Sequence, residues 1–323
     1  ATGQLRHRRF RHQAFPLPDG RVAIVGGLAF ETPDASRPVL PIEVIDPKTM
    51  QSQVSPSTVA GITRGVLALQ LPDGDLALAQ ASDGNGVQVL RWRWRDGSLT
   101  QLAMLPSLGR VHALVKLSDE LVLVLGTRGD GAAVDSALVW NVATGRTRLL
   151  PAPPVAIVPT LVVDAADSGR VGLIGREGVV TFDFVEGAWT NRSEFFRSLA
   201  EEPDEFVRTI RAHVGDGRLW MNNILPPAKK RDPAEVLEGF VDLFTNEPLS
   251  RAPWDVPRST TGTPLMHSDG RLYFVGSEAQ HTRENPEVDR HAGVESFVPP
   301  ERGFSPLRWW RDWRAARAIG KFE

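Results

Sequence analysis

Short runs of branched apolar residues, separated by polar turns, alternate along most of the chain. The turn LPDG at 17–20 recurs unchanged at 71–74, and each copy separates two apolar runs. Four related turns stand at 117–120, 167–170, 215–218 and 268–271. Because glycine after aspartate adopts the positive φ of a tight turn at no steric cost, this pattern is a strong signal for β-hairpins. The chain is therefore predicted to be all-β, with one unit repeated six times.

The spacing and the glycines of these units resemble those of kelch repeats. The turns lie 46 to 54 residues apart, close to the period of about 50 expected for kelch blades. Gly26 and Gly27 form the double glycine after a second strand, and aromatic residues typical of the outer two strands stand at Trp140, Phe182 and Trp189. The resemblance implies a six-bladed β-propeller of four-stranded antiparallel blades over residues 1–299.

Closure of the ring is expected to involve the N-terminus. A blade cannot bury both of its faces alone, so the first and last blades must be joined. The stretch ATGQLR at 1–6 matches ATGRTR at 143–148, which begins a fourth strand. We therefore expect residues 1–10 to supply the outer strand of the last blade, whose inner strands lie at about 260–298.

The composition excludes several kinds of chemistry. Without cysteine the chain has no disulfide, thiolate metal site or cysteine nucleophile, and its one tyrosine, Tyr273, cannot form a cysteine-tyrosine radical cofactor. The 37 basic and 39 acidic residues nearly balance, which argues against a nucleic-acid binder driven by bulk charge. No membrane-length apolar run, Gly-rich phosphate loop, nucleophile elbow or paired His-Glu metal motif is present. We therefore expect no cofactor, no metal and no covalent catalysis.

Basic residues near the starts of the innermost strands form the first candidate site. Alignment of the copies by their turns gives six of them: His12, Arg64, Arg110, His112, Arg208 and Arg211. In a propeller these strands line the central channel, where a ring of Arg and His suits an anion. The alternative is structural, since such side chains in kelch propellers often bind carbonyls of adjacent blades.

Long loops form the second candidate site. Between the second and third strands, copies one, five and six carry loops near 28–40, 225–237 and 277–292, whereas the other copies have short connections. These copies would be neighbours on a ring, and long loops on a rigid scaffold commonly carry binding surfaces. The residues expected to contact a partner there are Lys229, Lys230, Arg231 and His281. Tolerated surface variation is the alternative.

One insertion in the strand pattern is predicted to be helical. The insertion at 191–205 predicts a helix capped by Ser193 that buries Phe195, Phe196 and Leu199.

The region 300–323 is predicted to be a separate tail. Ser305 and Pro306 are good residues for the start of a helix ending near 319. Its tryptophans, Trp309, Trp310 and Trp313, are interleaved with arginines, and residues 301–323 carry six basic and three acidic side chains. The tail could contact a membrane surface or a partner, or fold back on the propeller.

Two functions of different classes fit these patterns. The first is a non-catalytic recognition or scaffold propeller that binds a protein or glycan partner through the long-loop face and the channel mouth. The second is an enzyme acting on an acidic sugar, because some six-bladed bacterial kelch proteins are sialic-acid epimerases, although no acid-base pair is identifiable. The resemblance to cysteine-free kelch-like chains, which are commonly exported in bacteria, also implies a periplasmic or extracellular location.

Overall fold

The computed structural model contains two compact units, residues 1–156 with 319–323 and residues 157–318, which are described separately. The structure describes residues 5–32, 35–62, 65–82, 86–129, 131–165, 169–200, 206–207, 209–213, 217–224, 237–245, 247–251, 258–261, 265–266, 272–279, 290–297, 314 and 317.

The first unit contains three four-stranded antiparallel sheets and one extra hairpin. The elements of its first repeat are β1 (Gln13–Pro16), β2 (Val22–Val25), β3 (Leu28–Thr32), β4 (Ala35–Pro38), β5 (Glu43–Asp46), β6 (Gln51–Val54) and α1 (Pro56–Gly61). The second sheet comprises β7 (Val66–Gln70), β8 (Leu76–Ala81), β9 (Val87–Trp92) and β10 (Leu99–Leu105). The third comprises β11 (Arg110–Lys116), β12 (Leu121–Thr127), β13 (Ser136–Asn141) and β14 (Thr147–Leu149). Strands β1, β2, β5 and β6 form the first sheet in that order, and β3 pairs with β4 separately.

The second unit also contains three antiparallel sheets. Its first sheet comprises β15 (Leu161–Ala165), β16 (Arg170–Gly175), β17 (Gly178–Asp183) and β18 (Ala188–Asn191), and α2 (Ser193–Ser198) follows. The next comprises β19 (Ile210–His213), β20 (Arg218–Ile224), β21 (Leu237–Asp242) and β22 (Glu247–Arg251). The last comprises β23 (Arg258–Thr261), β24 (Leu265–Met266), β25 (Leu272–Ala279) and β26 (Arg290–Phe297). In this sheet β23 and β24 pair with one edge of β25 and β26 pairs with the other.

The predicted hairpins are confirmed. At each of the six turn positions the flanking strands pair antiparallel as the sequence pattern predicts, and Gly20 and Gly74 of the two LPDG turns have φ values of 87° and 86°. Repeated four-stranded antiparallel sheets, each made of strands that follow one another in the chain, are the construction pattern of β-propeller blades. The mostly-β expectation is therefore confirmed, and the strand order suggests a propeller.

Apolar cores lie between successive sheets within each unit. One cluster joins the first and second sheets through residues such as Val25 and Leu78, and another joins the second and third through Ala77 and Val122. Every residue of β12 and β13 is buried. Burial without alternation means that both faces of a sheet are covered, as in stacked blades.

Glutamine side chains connect the first strands of neighbouring sheets. Gln13 accepts a hydrogen bond from the Ala68 backbone N–H at 2.8 Å and donates to the Ala68 carbonyl at 3.1 Å. Gln70 donates to the Pro16 carbonyl at 2.6 Å. These side chains bond backbone groups of a strand in the neighbouring sheet, so they hold β1 and β7 side by side.

The expectation that residues 1–10 form the outer strand of the last blade is wrong for the described part of that segment. Residues 5–10 form no strand, and Phe10 makes an isolated antiparallel bridge with Leu28 of the first repeat. The physical reason is a buried acceptor, Glu43, which binds three residues of this segment, as detailed below. A local match between two short sequences carried no information about that long-range contact.

The helical insertion is shorter than predicted and its cap differs. Helix α2 starts with Ser193 as its first residue, and Arg192 occupies the cap position. The Ser193 hydroxyl instead accepts a hydrogen bond from the Val179 backbone N–H at 3.0 Å. Phe196 is fully buried and Phe195 packs against the same core, so the predicted docking of the helix is confirmed.

Most of the tail lies outside the described residues. Arg314 and Arg317 are described, and both have helical backbone. Within the described part of the chain, no helix has the length and apolarity required to cross a membrane.

Candidate binding site

A buried carboxylate anchors the N-terminal segment, residues 5–12, to the first sheet. Glu43 of β5 is 0% exposed. Its carboxylate accepts hydrogen bonds from the backbone N–H groups of Arg6 at 2.6 Å and His7 at 3.0 Å, and from the Arg9 guanidinium at 2.6 Å. The His7 Nδ1 atom lies 3.1 Å from the same carboxylate. Four donors from one short segment therefore converge on one side chain.

Arg9 completes this network. Its guanidinium, whose side chain is 0% exposed, also donates to the Gly26 and Pro41 carbonyls at 3.0 Å each. Burial by itself would raise the pKa of Glu43, but the hydrogen bonds from Arg6, Arg9 and His7 outweigh it and hold the pKa of that carboxyl below its usual value. Glu43 is therefore ionised at neutral pH. The Glu43–Arg9 pair joins the segment to β5 and to Gly26 and Pro41, which lie on either side of the β3–β4 hairpin.

The double glycine makes room for the segment. Gly26 and Gly27 have φ values of 64° and 90°, in the left-handed region. A Cβ atom on Gly27 would lie 2.8 Å from the Phe10 carbonyl oxygen and 3.1 Å from the His12 Cβ atom. Phe10 and Leu28 exchange two backbone hydrogen bonds of 2.9 Å directly beside this contact. Gly27 is thus required where the N-terminal segment passes the end of β2.

A pocket opens between the anchored segment and the β3–β4 hairpin. This hairpin occupies the long loop predicted at 28–40, which therefore contains two paired strands. The cavity measures about 360 Å³. The residues that line it, called the hairpin pocket below, are His7, Arg8, Ala29, Arg37, Val39, Leu40 and Pro41. Among the lining residues that the structure describes, two arginines and a histidine lie beside aliphatic side chains.

The structure places His12 and His112 at equivalent positions. His12 immediately precedes Gln13, which pairs with Val25, and His112 immediately precedes Ala113, which pairs with Leu125. His12 is exposed, whereas His112 is half-buried at a bulge of β11. The predicted correspondence between the two copies is confirmed, but the two side chains have different surroundings.

The environment of His112 keeps its ring neutral. Burial lowers the pKa of His112, and Arg110 lowers it further, while a hydrogen bond with the Gly131 backbone and the charge of Asp135 act in the opposite direction. The buried Nε2 atom has no hydrogen-bond partner among the described residues. His112 therefore adds no positive charge at neutral pH, and Arg110, which is exposed at the start of β11, is the cation of this pair.

The remaining sequence-predicted site residues are not brought together by the described structure. Outside the described residues lie Arg64, Arg208, Lys229, Lys230, Arg231, His281, Trp309, Trp310 and Trp313. Arg211 belongs to β19, but its side chain is not among those described. The ring of basic groups at a channel mouth therefore stays a prediction.

Sequence reasoning missed His7, Arg8, Arg37 and Glu43. The available signals were the basic run RHRR at 6–9 and the acidic residue Glu43 between the apolar residues Ile42 and Val44. A carboxylate in a buried strand requires a partner, and a nearby excess of arginine supplies one. Neither signal shows that the two segments meet.

A second hollow lies at the opposite end of the first strands. It measures about 570 Å³ and is lined by the ends of β1 and β7, by both LPDG turns and by Lys116. The turns are stacked, since a Cβ atom on Gly74 would lie 2.4 Å from Pro18 Cγ. Lys116 is paired with Asp119 at 2.7 Å. This hollow is shallower and carries no unbalanced charge in its described lining.

Comparisons with known proteins establish no family. No family model and no curated protein matches the chain. Among solved structures, the chain is similar to TolB from Acinetobacter baumannii, known from a crystal structure, with 15% sequence identity and a TM-score of 0.39. The match covers 55% of this chain and 41% of the TolB chain, so it spans about two fifths of that protein. A TM-score this low carries no argument about the fold or the function of this chain.

Proposed function

We propose that this chain is a six-bladed, kelch-like β-propeller that acts as a non-catalytic recognition module. The regular hairpin turns, the repeat period and the successive four-stranded sheets support the propeller. The same resemblance supports a periplasmic or extracellular location. The module binds a protein or glycan partner through the long-loop face of its first repeat, together with the neighbouring channel mouth.

The hairpin pocket is the observation that carries this proposal. It is built from a long loop on a rigid sheet, which is the usual place for binding residues. Its wall, the N-terminal segment, is held by the buried network of Glu43 and Arg9, each 0% exposed. The two charges are bonded to each other, and of the Arg9 guanidinium only Nε has no hydrogen-bond partner among the described residues. The network gives a fixed wall to a concave surface that carries exposed cationic and aliphatic groups.

His12, one of the predicted channel-mouth residues, lies at the same end of the first sheet as the hairpin pocket. Strand β1 begins where β2 ends, because Gln13 pairs with Val25. His12 and the β3–β4 hairpin therefore lie at one end of this sheet, and Arg110 begins the equivalent strand of the third sheet. A partner seated in the hairpin pocket is expected to extend toward these residues.

A ligand panel tests the proposal. The full chain is mixed with acidic and neutral peptides, neutral glycans and sugar acids, and thermal unfolding is followed alongside chromatography of each ligand. At least one ligand is expected to raise the unfolding midpoint without being converted. The double variant R8E/R37E is expected to abolish this shift, whereas R146E, a charge reversal at an exposed turn of the third sheet, is expected to leave it unchanged.

Three outcomes would contradict the proposal. Conversion of a sugar acid would favour the acidic-sugar enzyme that the kelch resemblance also allows. Stabilisation that survives R8E/R37E would place the site elsewhere, and the absence of any stabilising ligand would remove the basis for a recognition role.

A further inference from the structure

A continuous apolar run follows the third sheet and lies mostly on the surface. Residues 149–159, LLPAPPVAIVP, contain no charged or polar side chain. Six of these side chains are exposed: Leu149, Pro151, Ala152, Pro154, Ala156 and Val158. Leu149 is 56% exposed, and of the whole run only Ile157 is buried. Contiguous apolar surface of this kind is uncommon on a folded chain and commonly marks an interaction site.

The covalent structure of residues 150–154 restricts their backbone to an extended form. A proline ring fixes its own φ at about −65°, and the residue before a proline avoids the helical region. Residues 151, 153 and 154 are prolines, and residues 150, 152 and 153 each precede one. No helix or strand is assigned over residues 150–156, and the chain first bends at 154–155. These restrictions favour the polyproline II conformation.

The start of this segment is fixed to the third sheet. Strand β14 pairs with β13, and directly after it the Leu150 N–H donates a hydrogen bond to the Ala137 carbonyl at 2.9 Å. The bond and the prolines together order the segment before any partner binds. A ligand that is already ordered loses little conformational entropy on binding, and this favours proline-rich segments as recognition motifs.

The composition of the segment selects among partner surfaces. Proline has no backbone N–H, so residues 151, 153 and 154 cannot donate the hydrogen bonds of an added β-strand. The run 149–159 has no charge to attract an anionic membrane, and no tryptophan or tyrosine to anchor it in a lipid interface. Aromatic-lined grooves that bind Pro-x-x-Pro segments are a recurring mode of protein recognition. Pro151 and Pro154 have this spacing.

We infer that residues 149–154 form a docking segment for a partner domain whose groove is lined by aromatic side chains and binds polyproline II. Because polyproline II has three residues per turn, Pro151 and Pro154 lie on one face of the segment, and their rings pack into the groove. The segment belongs to the first unit. The inference goes beyond the proposed function, because it uses no residue of the hairpin pocket.

Titration with a groove domain tests the inference. The probe is an isotope-labelled SH3 domain, whose aromatic groove binds Pro-x-x-Pro segments, and its amide resonances are followed as the full chain is added. Groove resonances are expected to shift, and P151A/P154A is expected to weaken binding about tenfold or more. Pro106→Ala, at an exposed turn after β10, is the matched control and is expected to bind as the unaltered chain does. R8E/R37E is also expected to leave this binding unchanged.

A synthetic peptide of residues 147–156 makes the test independent of the folding of the variants. The peptide is expected to displace the full chain from the probe, whereas the same peptide with Pro151→Ala and Pro154→Ala is not. The absence of groove shifts, or equal binding by P151A/P154A, would overturn the inference and leave the hairpin-pocket proposal standing. Flotation of the full chain with phosphatidylcholine vesicles, lost in P151A/P154A and without groove binding, would assign the segment to a lipid surface and would also overturn the inference.

Discussion

At the scale of single residues, the best-defined feature is the ion pair between Glu43 and Arg9. Both side chains are 0% exposed, and their nearest N–O distance is 2.6 Å. Removing one partner of a buried pair leaves the other charge without compensation, which is far more damaging than losing a surface pair. The pair therefore stabilises the first repeat as well as shaping the pocket.

The variant Glu43→Gln is expected to lower the free energy of unfolding by about 3 kcal/mol, because Arg9 is left buried without a carboxylate. Urea unfolding measures this loss. Glu120→Gln, at an exposed turn of the third sheet, is the matched control and is expected to cost less than about 0.5 kcal/mol. Equal losses for the two variants would contradict the assigned role of Glu43.

The same carboxylate predicts a pH dependence. The folded-state pKa of Glu43 is lower than its ordinary value, so its contribution to stability is complete above the unfolded pKa of about 4.3. It is lost as the pH falls through the lower folded-state pKa. The stability gap between the unaltered chain and Glu43→Gln is therefore expected to be constant from pH 7 to about pH 5 and to shrink toward pH 3. A gap that grows on acidification would contradict this sign.

At the scale of elements, the position of the N-terminal segment beside the end of β2 depends on a glycine. Gly27 and Gly145 both have positive φ, 90° and 73°. A Cβ atom on Gly27 would collide with the Phe10 carbonyl, whereas one on Gly145 would meet nothing within 4 Å. Alanine at Gly145 therefore tests backbone strain alone, whereas alanine at Gly27 also displaces the N-terminal segment.

Gly145→Ala is expected to cost about 1 kcal/mol, from its left-handed backbone alone. Gly27→Ala is expected to cost more, about 2–3 kcal/mol, because it must also displace Phe10. Limited trypsin digestion at Arg8 and Arg9 should be faster only in Gly27→Ala. Identical stability and cleavage for the two variants would show that the segment does not depend on this contact.

The elements that could be predicted from sequence are those set by local chemistry. The LPDG turns at 17–20 and 71–74 specify hairpins through neighbouring residues, so the hairpins β1–β2 and β7–β8 could be predicted. The path of the N-terminal segment could not be found, because it depends on Glu43, more than 30 positions away in the chain. The hairpin pocket was anticipated only as a long loop at 28–40, since loop length indicates a surface but not its charge.

At the scale of the whole molecule, the proposed six-bladed ring predicts how a change in one blade affects the others. Blades in a ring cover one another's faces, so loss of stability in one blade is shared by the others. Independent units would instead respond separately.

Glu43→Gln, a change in the first unit, is therefore expected to lower the unfolding midpoint equally at β12 and at β20 of the second unit. Hydrogen exchange with mass spectrometry through a urea titration reports both strands separately. A shift confined to β12 would contradict the ring.

The most direct test of the recognition proposal is to locate a bound ligand on the chain. An acidic peptide from the ligand panel, carrying a benzophenone in place of one apolar side chain, is photo-crosslinked to the full chain, and the attachment sites are mapped by mass spectrometry. Crosslinks are expected at residues 7–8 and 37–41, with the peptide chemically intact and with loss of crosslinking in R8E/R37E. Crosslinks distributed over other sheets, or unaffected by R8E/R37E, would contradict the account.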